Sequence, residues 1–222
     1  MKTQIFESWQ MGRADHEIGT VNTMAVAPTG GGKTAVMSGV VDDVKTPTVS
    51  IAHRQELVSQ ISLSLAKNDI YHRIIAAESV SKFCISRHIE ELGKNFCHQN
   101  APDAVSSVQT IIRRKKQLDK WLPTVGMWNI DEGHHVCPDN SWGKATDLFP
   151  NAFGLAFTAS PFRADRKPLG RVNDGVFDHM VKGPSMRDLI DQGYLTEYRL
   201  IAPTISIDRH QIKVSESTGE LD

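Results

Sequence analysis

Ala27-Pro28-Thr29-Gly30-Gly31-Gly32-Lys33-Thr34, written APTGGGKT, follows the apolar run TMAV and precedes AVMSGVV. Three consecutive glycines ahead of Lys-Thr suit a loop whose backbone N–H groups converge on phosphate. Glycine allows the close approach, the lysine bridges phosphate oxygens, and the hydroxyl holds Mg²⁺. Strand, loop and helix stand in the order such a loop requires. The strict pattern G-x-x-x-x-G-K-[ST] places Gly where this chain has Ala27. A Gly-rich surface turn with an incidental lysine is the plain alternative, and the flanking elements weigh against it. Nucleotide binding is the better reading, with Lys33 and Thr34 as its chemical residues.

Outward from this loop, runs rich in β-branched and aromatic residues recur at Val21 to Ala27, Thr48 to Ala52, His72 to Ala76, Ala104 to Ser107, Val125 to Ile130, Phe153 to Thr158 and Tyr198 to Ala202. Helical patterns separate them at about 34–44, 54–67, 78–93, 109–121, 142–148 and 185–192. Alternation of this kind predicts an α/β fold, a mainly parallel sheet with helices on both faces. In the last helix Ser185 and Asp188 form a capping-box pair, and Gly193 stands where a left-handed residue ends it. Gly39 lies inside the first helix, where it costs about 1 kcal/mol relative to Ala; close packing on the sheet is one reason for it.

The chain has 222 residues, 40% hydrophobic and 23% charged, and predicts one globular domain rather than two. Three cysteines and no signal-like start fit a reducing cytoplasm. No apolar run approaches the roughly 18 residues of a membrane span. A net charge of −1 gives no global pull toward nucleic acid, so any such binding must come from local patches.

Asp131-Glu132-Gly133-His134-His135 follows the apolar run GMWNI and puts two carboxylates at the carboxyl end of a strand, where open α/β sheets bind ligands. Asp131 is placed to hold Mg²⁺ and Glu132 to orient and deprotonate a water. A water nucleophile means hydrolysis. A P-loop kinase is the competing enzyme class, and the Asp-Glu pair argues against it.

These residues resemble the first RecA-like domain of superfamily 2 helicases of the DEAD/DEAH type. APTGGGKT is similar to their motif I, in which Ala is a usual first residue, and DEGHH to motif II. Thr158-Ala159-Ser160 resembles motif III, which couples the nucleotide site to nucleic acid. Ala52-His53-Arg54-Gln55-Glu56-Leu57 resembles motif Ia and Ser107-Val108-Gln109-Thr110 motif Ib, both of which line the nucleic-acid backbone. SPFRADRKPLGRVNDGVFD and GPSMRDLIDQGYLTEY look most like helicases of phages and prophages, which favours DNA over RNA and a bacterial cytoplasm.

The resemblance implies a RecA-like P-loop NTPase domain over residues 21–207, a lead-in over 1–20, and a polar tail or truncated linker over 208–222. It implies ATP on Ala27, Pro28, Thr29, Gly30, Gly31, Gly32, Lys33 and Thr34, and Mg²⁺ on Thr34 and Asp131. Lys33, Asp131 and Glu132 are its catalytic residues. His134, Thr158 and Ser160 couple the sites, and His53, Arg54, Gln109 and Thr110 meet nucleic acid. For the adenine-reading glutamine, Gln10 competes with Gln4.

Nothing matches the second RecA-like domain, whose arginines reach the γ-phosphate and contribute about 10³ to 10⁵ in rate. The chain alone is therefore expected to bind ATP, to hydrolyse it weakly or not at all, and not to unwind. The alternative is a nucleotide- or nucleic-acid-binding module without turnover.

Arg113-Arg114-Lys115-Lys116 follows motif Ib and is either a phosphate-binding stripe or a solvated helix face. Cys84 and His88 stand at i, i+4 with Cys97-His98 soon after, but the spacing matches no common zinc pattern, and satisfied or exposed side chains are the preferred reading. Trp121, Trp128 and Trp142 are read as core or interface anchors. Arg163 and Arg166, after motif III, are read as contacts to nucleic acid or phosphate or as part of a surface loop.

Overall fold

A computed structural model describes residues 1–7, 21–163 and 169–201. Its strands are β1 (Asn22–Val26), β2 (Thr48–Ala52), β3 (His72–Ile75), β4 (Asp103–Ser107), β5 (Met127–Asp131), β6 (Phe153–Thr158) and β7 (His179–Lys182). They pair in the order β3-β4-β2-β5-β6-β1-β7, and every pairing is parallel. The helices between them are α1 (Lys33–Asp43), α2 (Gln55–Lys67), α3 (Glu78–Leu92), α4 (Val108–Arg113), α5 (Ser141–Thr146) and α6 (Met186–Asp191). Among the described residues no helix is long and apolar enough to cross a membrane.

The strands read as near-continuous apolar runs because both faces of the sheet are covered. Successive side chains point to opposite sides, so Leu155 and Phe157 enter one apolar layer while Ala156 enters the other. The first layer lies under α1, α2 and α3, with Met37, Val40, Ile61, Leu65 and Val80 packed on Met127 and Val105. The second lies under α4 and α5, where Ile111, Trp142 and Ala145 join Ile51, Trp128 and Ile130. Trp128 and Trp142 are buried, and partly buried Trp121 packs on the same layer, as expected of anchors.

Two expected elements are placed differently. The strand expected at Tyr198 to Ala202 does not form over residues 198–201, whose side chains are exposed; Ala202 lies outside the described residues. The seventh strand is instead β7, pairing with β1 through Thr23 and His179. Its half-exposed residues gave no apolar run to read. The helix expected over 109–121 stops at Arg113, and residues 114–121 continue as turns. Four adjacent cations gain nothing from extending one helical face, whereas turns let Leu118 and Trp121 pack on the core.

Other details agree. Ser185 and Asp188 form the capping box, and Gly193 has φ 75°. Residues 1–7, read as a lead-in, pack on the domain: Ile5 is fully buried beside α1, and Lys2 pairs with Asp43 at 2.6 Å. Among the described residues a Cβ on Gly39 would meet Lys2, at 3.8 Å, and no atom of the sheet.

Gly39→Ala therefore fills open space on a helix. It should raise stability by about 0.5–1 kcal/mol, read as a higher urea midpoint at unchanged slope, and a lower midpoint would refute this account of the position.

Candidate nucleotide site

Parallel pairing sends the carboxyl ends of β1, β5 and β6 to one edge, so the loops after them meet there. The pairing continues one residue beyond β1, where the Ala27 N–H donates to Thr158 O at 3.0 Å. The chain then turns, and the Gly31 N–H donates to Pro28 O at 3.0 Å. Gly30 and Gly32 lie in the left-handed region at φ 77° and 75°. Those two positions require glycine for backbone reasons.

Gly32 caps α1 with no side-chain hydrogen bond, which leaves the first N–H groups of an eleven-residue helix open to an anion. The Lys33 ammonium folds back and donates to Ala27 O at 3.4 Å and Pro28 O at 3.3 Å.

Asp131 ends β5, and its carboxylate accepts from the Glu132 N–H at 3.0 Å. Burial holds the Asp131 carboxyl above the usual carboxylate range, and the neighbouring Glu132 charge pushes the same way; Lys33 and His53 oppose them. The phosphate-type loop and the acidic pair therefore act on each other electrostatically. Glu132 takes a left-handed conformation, φ 61°, which is unusual for a residue with a Cβ. Gly133 follows because a Cβ there would stand 2.5 Å from the Ala156 Cβ on β6.

A hydrogen-bonded chain runs from this pair to the end of β6. His134 Nδ1 lies 3.3 Å from Glu132 Oε2 and 2.9 Å from Thr158 Oγ1. Thr158 donates its own proton to Ser160 O at 2.9 Å, so the His134 Nδ1–H is the donor to Thr158. The Ser160 N–H donates to the same hydroxyl at 3.2 Å. Ser160 thus joins the chain through its main-chain N–H and C=O. Arg163 closes the group by donating to His134 O at 2.9 Å.

His53 and Arg54 follow β2, and Arg54 Nε donates to His53 Nε2 at 3.2 Å. The His53 ring meets His135 and Trp142 edge-on at 5.9 and 5.8 Å, and His135 stacks on Trp142. Burial lowers the affinity of His53 and His135 for a proton, helped by Arg54 at the first and His134 at the second. A cavity of about 520 Å³ opens between His53, Arg54, Glu132 and His134. A second, of about 190 Å³, brings His53 to Gln109, Thr110 and Arg113. Thr110 itself is buried, and its hydroxyl accepts from Ser107 at 2.8 Å. Gln109 and residues 113–116 are exposed.

Two contributors escaped sequence reading. Asn140 caps α5 by accepting from Trp142 N and Gly143 N, and it donates to His135 O at 2.7 Å, fastening the acidic loop to that helix. An Asn ahead of Ser-Trp-Gly was the available signal. Leu195 covers the glycine loop: a Cβ on Gly30 would stand 2.9 Å from its Cδ2. No local pattern marks that contact. Gln10 and Arg166 lie outside the described residues, and Gln4 is exposed.

The fold is that of known helicase structures. The Pyrococcus furiosus Hef helicase domain aligns with TM-score 0.56 at 19% identity, over 81% of this chain and 38% of that one. The UvsW helicase from bacteriophage T4 aligns with TM-score 0.51 at 17% identity, over 73% and 54%. The type ISP restriction-modification enzyme LlaGI, in a nuclease-deletion mutant complexed with a DNA substrate mimic, gives 0.56 at 12% identity, over 83% and 20%. The chain thus spans between a fifth and about half of these proteins. No curated protein sequence matches it significantly. A family profile described as "Type III restriction enzyme, res subunit" matches residues 2–163. The chain belongs to this ResIII family, and its parallel sheet is the RecA-like domain of the N-terminal region of superfamily 2 helicases.

Proposed function

We propose that this chain is the ATP-binding domain of an ATP-dependent helicase or translocase that hydrolyses ATP and acts on nucleic acid, with DNA favoured over RNA. The observation that carries the reading is the meeting of the glycine loop with the Asp131-Glu132 pair, tied through His134 to Thr158. The LlaGI relative bound to a DNA substrate mimic and the restriction-enzyme description of the family support DNA. The domain extends over residues 21–207, with the packed N-terminal segment attached to it.

In this reading the N–H groups of Gly30, Gly31 and Gly32 and the Lys33 ammonium bind the phosphates. Lys33 leaves the carbonyls of Ala27 and Pro28 to do so, and Pro28 and Thr29 shape the loop around them. Thr34, in the first turn of α1, and Asp131 hold Mg²⁺. They suit it, because a half-buried carboxyl that burial and a like charge hold above its usual range is relieved by a cation. The ion, when bound, neutralises developing charge on the phosphate oxygens. Glu132 accepts a proton from the attacking water.

His134, Thr158 and Ser160 carry a change at Glu132 to the end of β6. His53, Arg54, Gln109 and Thr110 form the nucleic-acid side. There Thr110 acts by holding the start of α4, because its hydroxyl is engaged with Ser107.

Lys33→Ala should abolish nucleotide binding, whereas Glu132→Gln should keep binding and lose about 10² to 10⁴ in hydrolysis. Fluorescent-nucleotide titration and phosphate release, with and without single- or double-stranded DNA or RNA, read both. Equal loss of binding in the two variants would overturn the assignment. Replacing residues 113–116 by Ala should weaken DNA binding and flatten its salt dependence, by a slope of about 0.9 for each phosphate no longer neutralised. An unchanged slope would return those four cations to the role of a solvated surface.

A further inference from the structure

A second group of chemistry-bearing side chains lies at the sheet edge formed by β3, the opposite end from β7. His72 opens β3, His88 is on the buried face of α3, and Cys97 follows in the loop after that helix. The loop is fastened to the edge strand: the His72 N–H donates to Phe96 O at 3.1 Å, and the His98 N–H donates to His72 O at 2.9 Å. One ligand atom from each of His72, His88 and Cys97 lies within 4.8 Å of the other two. Cys97 Sγ is 3.7 Å from His88 Nδ1. Two donors held tetrahedrally at zinc distances of about 2.0 to 2.3 Å stand roughly 3.5 Å apart, so this edge already has the length a metal needs.

The surroundings suit ligands. The His72 Nδ1–H donates to Ile70 O at 2.9 Å, which fixes the ring and makes Nε2 the unprotonated, lone-pair nitrogen, as in a metal-bound histidine oriented by a backbone carbonyl. Both imidazoles are fully buried. Burial drives the His72 imidazole down to about 4, so it is neutral at neutral pH. Ser62 Oγ lies 2.7 Å from His72 Nε2 and 3.1 Å from His88 Nε2. The Phe96 N–H donates to His88 Nδ1 at 3.4 Å, holding the loop of Cys97 against that ring, and Cys84, one turn before His88, is fully buried. A hydrogen-bonded histidine pair accounts for Ser62 but not for the Cys97 sulfur brought against the second histidine, an approach that a thiophilic cation accounts for.

We propose that His72, His88 and Cys97 bind a divalent cation of the zinc class, with a water molecule completing the tetrahedron. On binding, the S–H bond of Cys97 breaks, one sulfur–metal bond forms, and the proton leaves to solvent; nothing is oxidised or reduced. The ion would clip the edge strand, α3 and the following loop together, away from the nucleotide site. Cys97 and His98 stand together in the sequence, where satisfied or exposed side chains are the preferred reading; His98 is exposed, and His72 is the residue that joins His88 and Cys97.

Cobalt(II) titration of the full chain, followed by zinc competition, tests this. The expected result is one equivalent showing thiolate-to-cobalt charge transfer, displaced by zinc, with a melting temperature that falls on chelation. Cobalt on the carboxylates of the nucleotide site gives no thiolate band, so the two sites are distinguishable. Cys97→Ser and His88→Ala should lose the tight equivalent, and Cys137→Ser should retain it. Absence of the thiolate band in the wild-type chain would overturn the proposal whether or not the variants fold. So would a band that survives the Cys97→Ser variant.

Discussion

The placement of β6 between β5 and β1 is the constraint on which the rest of the molecule depends. Each parallel pairing fixes direction, so the chain leaves β1, β5 and β6 at the same edge. The Ala27 N–H bond to Thr158 O then sets how far β1 runs before the glycine turn begins. Gly133 has the complementary task, because only a residue without a Cβ lets the acidic loop lie against Ala156. Slipping β6 by one residue would turn Ala156 to the other face and place Leu155 or Phe157 where Gly133 needs room. Packing against α1 and α5 holds that register from both sides.

Much of this was legible in the sequence. Strands buried on both faces must be apolar along their length, and β1, β2, β5 and β6 stand out for that reason. The glycine loop was legible because two of its residues need positive φ and its helix start needs bare N–H groups. β7 was hidden because it is a half-exposed edge strand, and exposure removes the apolar signal. Tyr198 to Ile201 carried that signal without being a strand, since β-propensity has no effect without a sheet edge to join. The end of α4 was hidden because a run of cations reads as a helical surface, while the packing of Leu118 and Trp121 that ends it is tertiary.

At the site, residue types were readable and partnerships were not. DEGHH suggested two carboxylates and a histidine, but not that His134 would donate to Thr158 twenty-four positions away. Ser160 illustrates the limit: the sequence placed it near Thr158, but not the two main-chain bonds by which it holds the Thr158 hydroxyl. The gathering of His72 with His88 and Cys97 depends on a loop folding back along an edge strand, and spacing carries no trace of it. Asn140 sits between these cases, a cap recognisable locally whose second bond, to His135, is a product of the fold.

The two carbonyl contacts of Lys33 make the glycine loop its own internal competitor. An ammonium with no anion before it would otherwise project into a partly desolvated cleft. Here the loop's oxygens satisfy it and hold the turn in shape. Under the proposed function, a phosphate reaching Lys33 displaces those oxygens rather than meeting a free cation, so its affinity is the difference between two sets of contacts. That exchange discriminates against weak anions, which gain too little to open the loop, and favours ligands able to engage the lysine and several backbone N–H groups together.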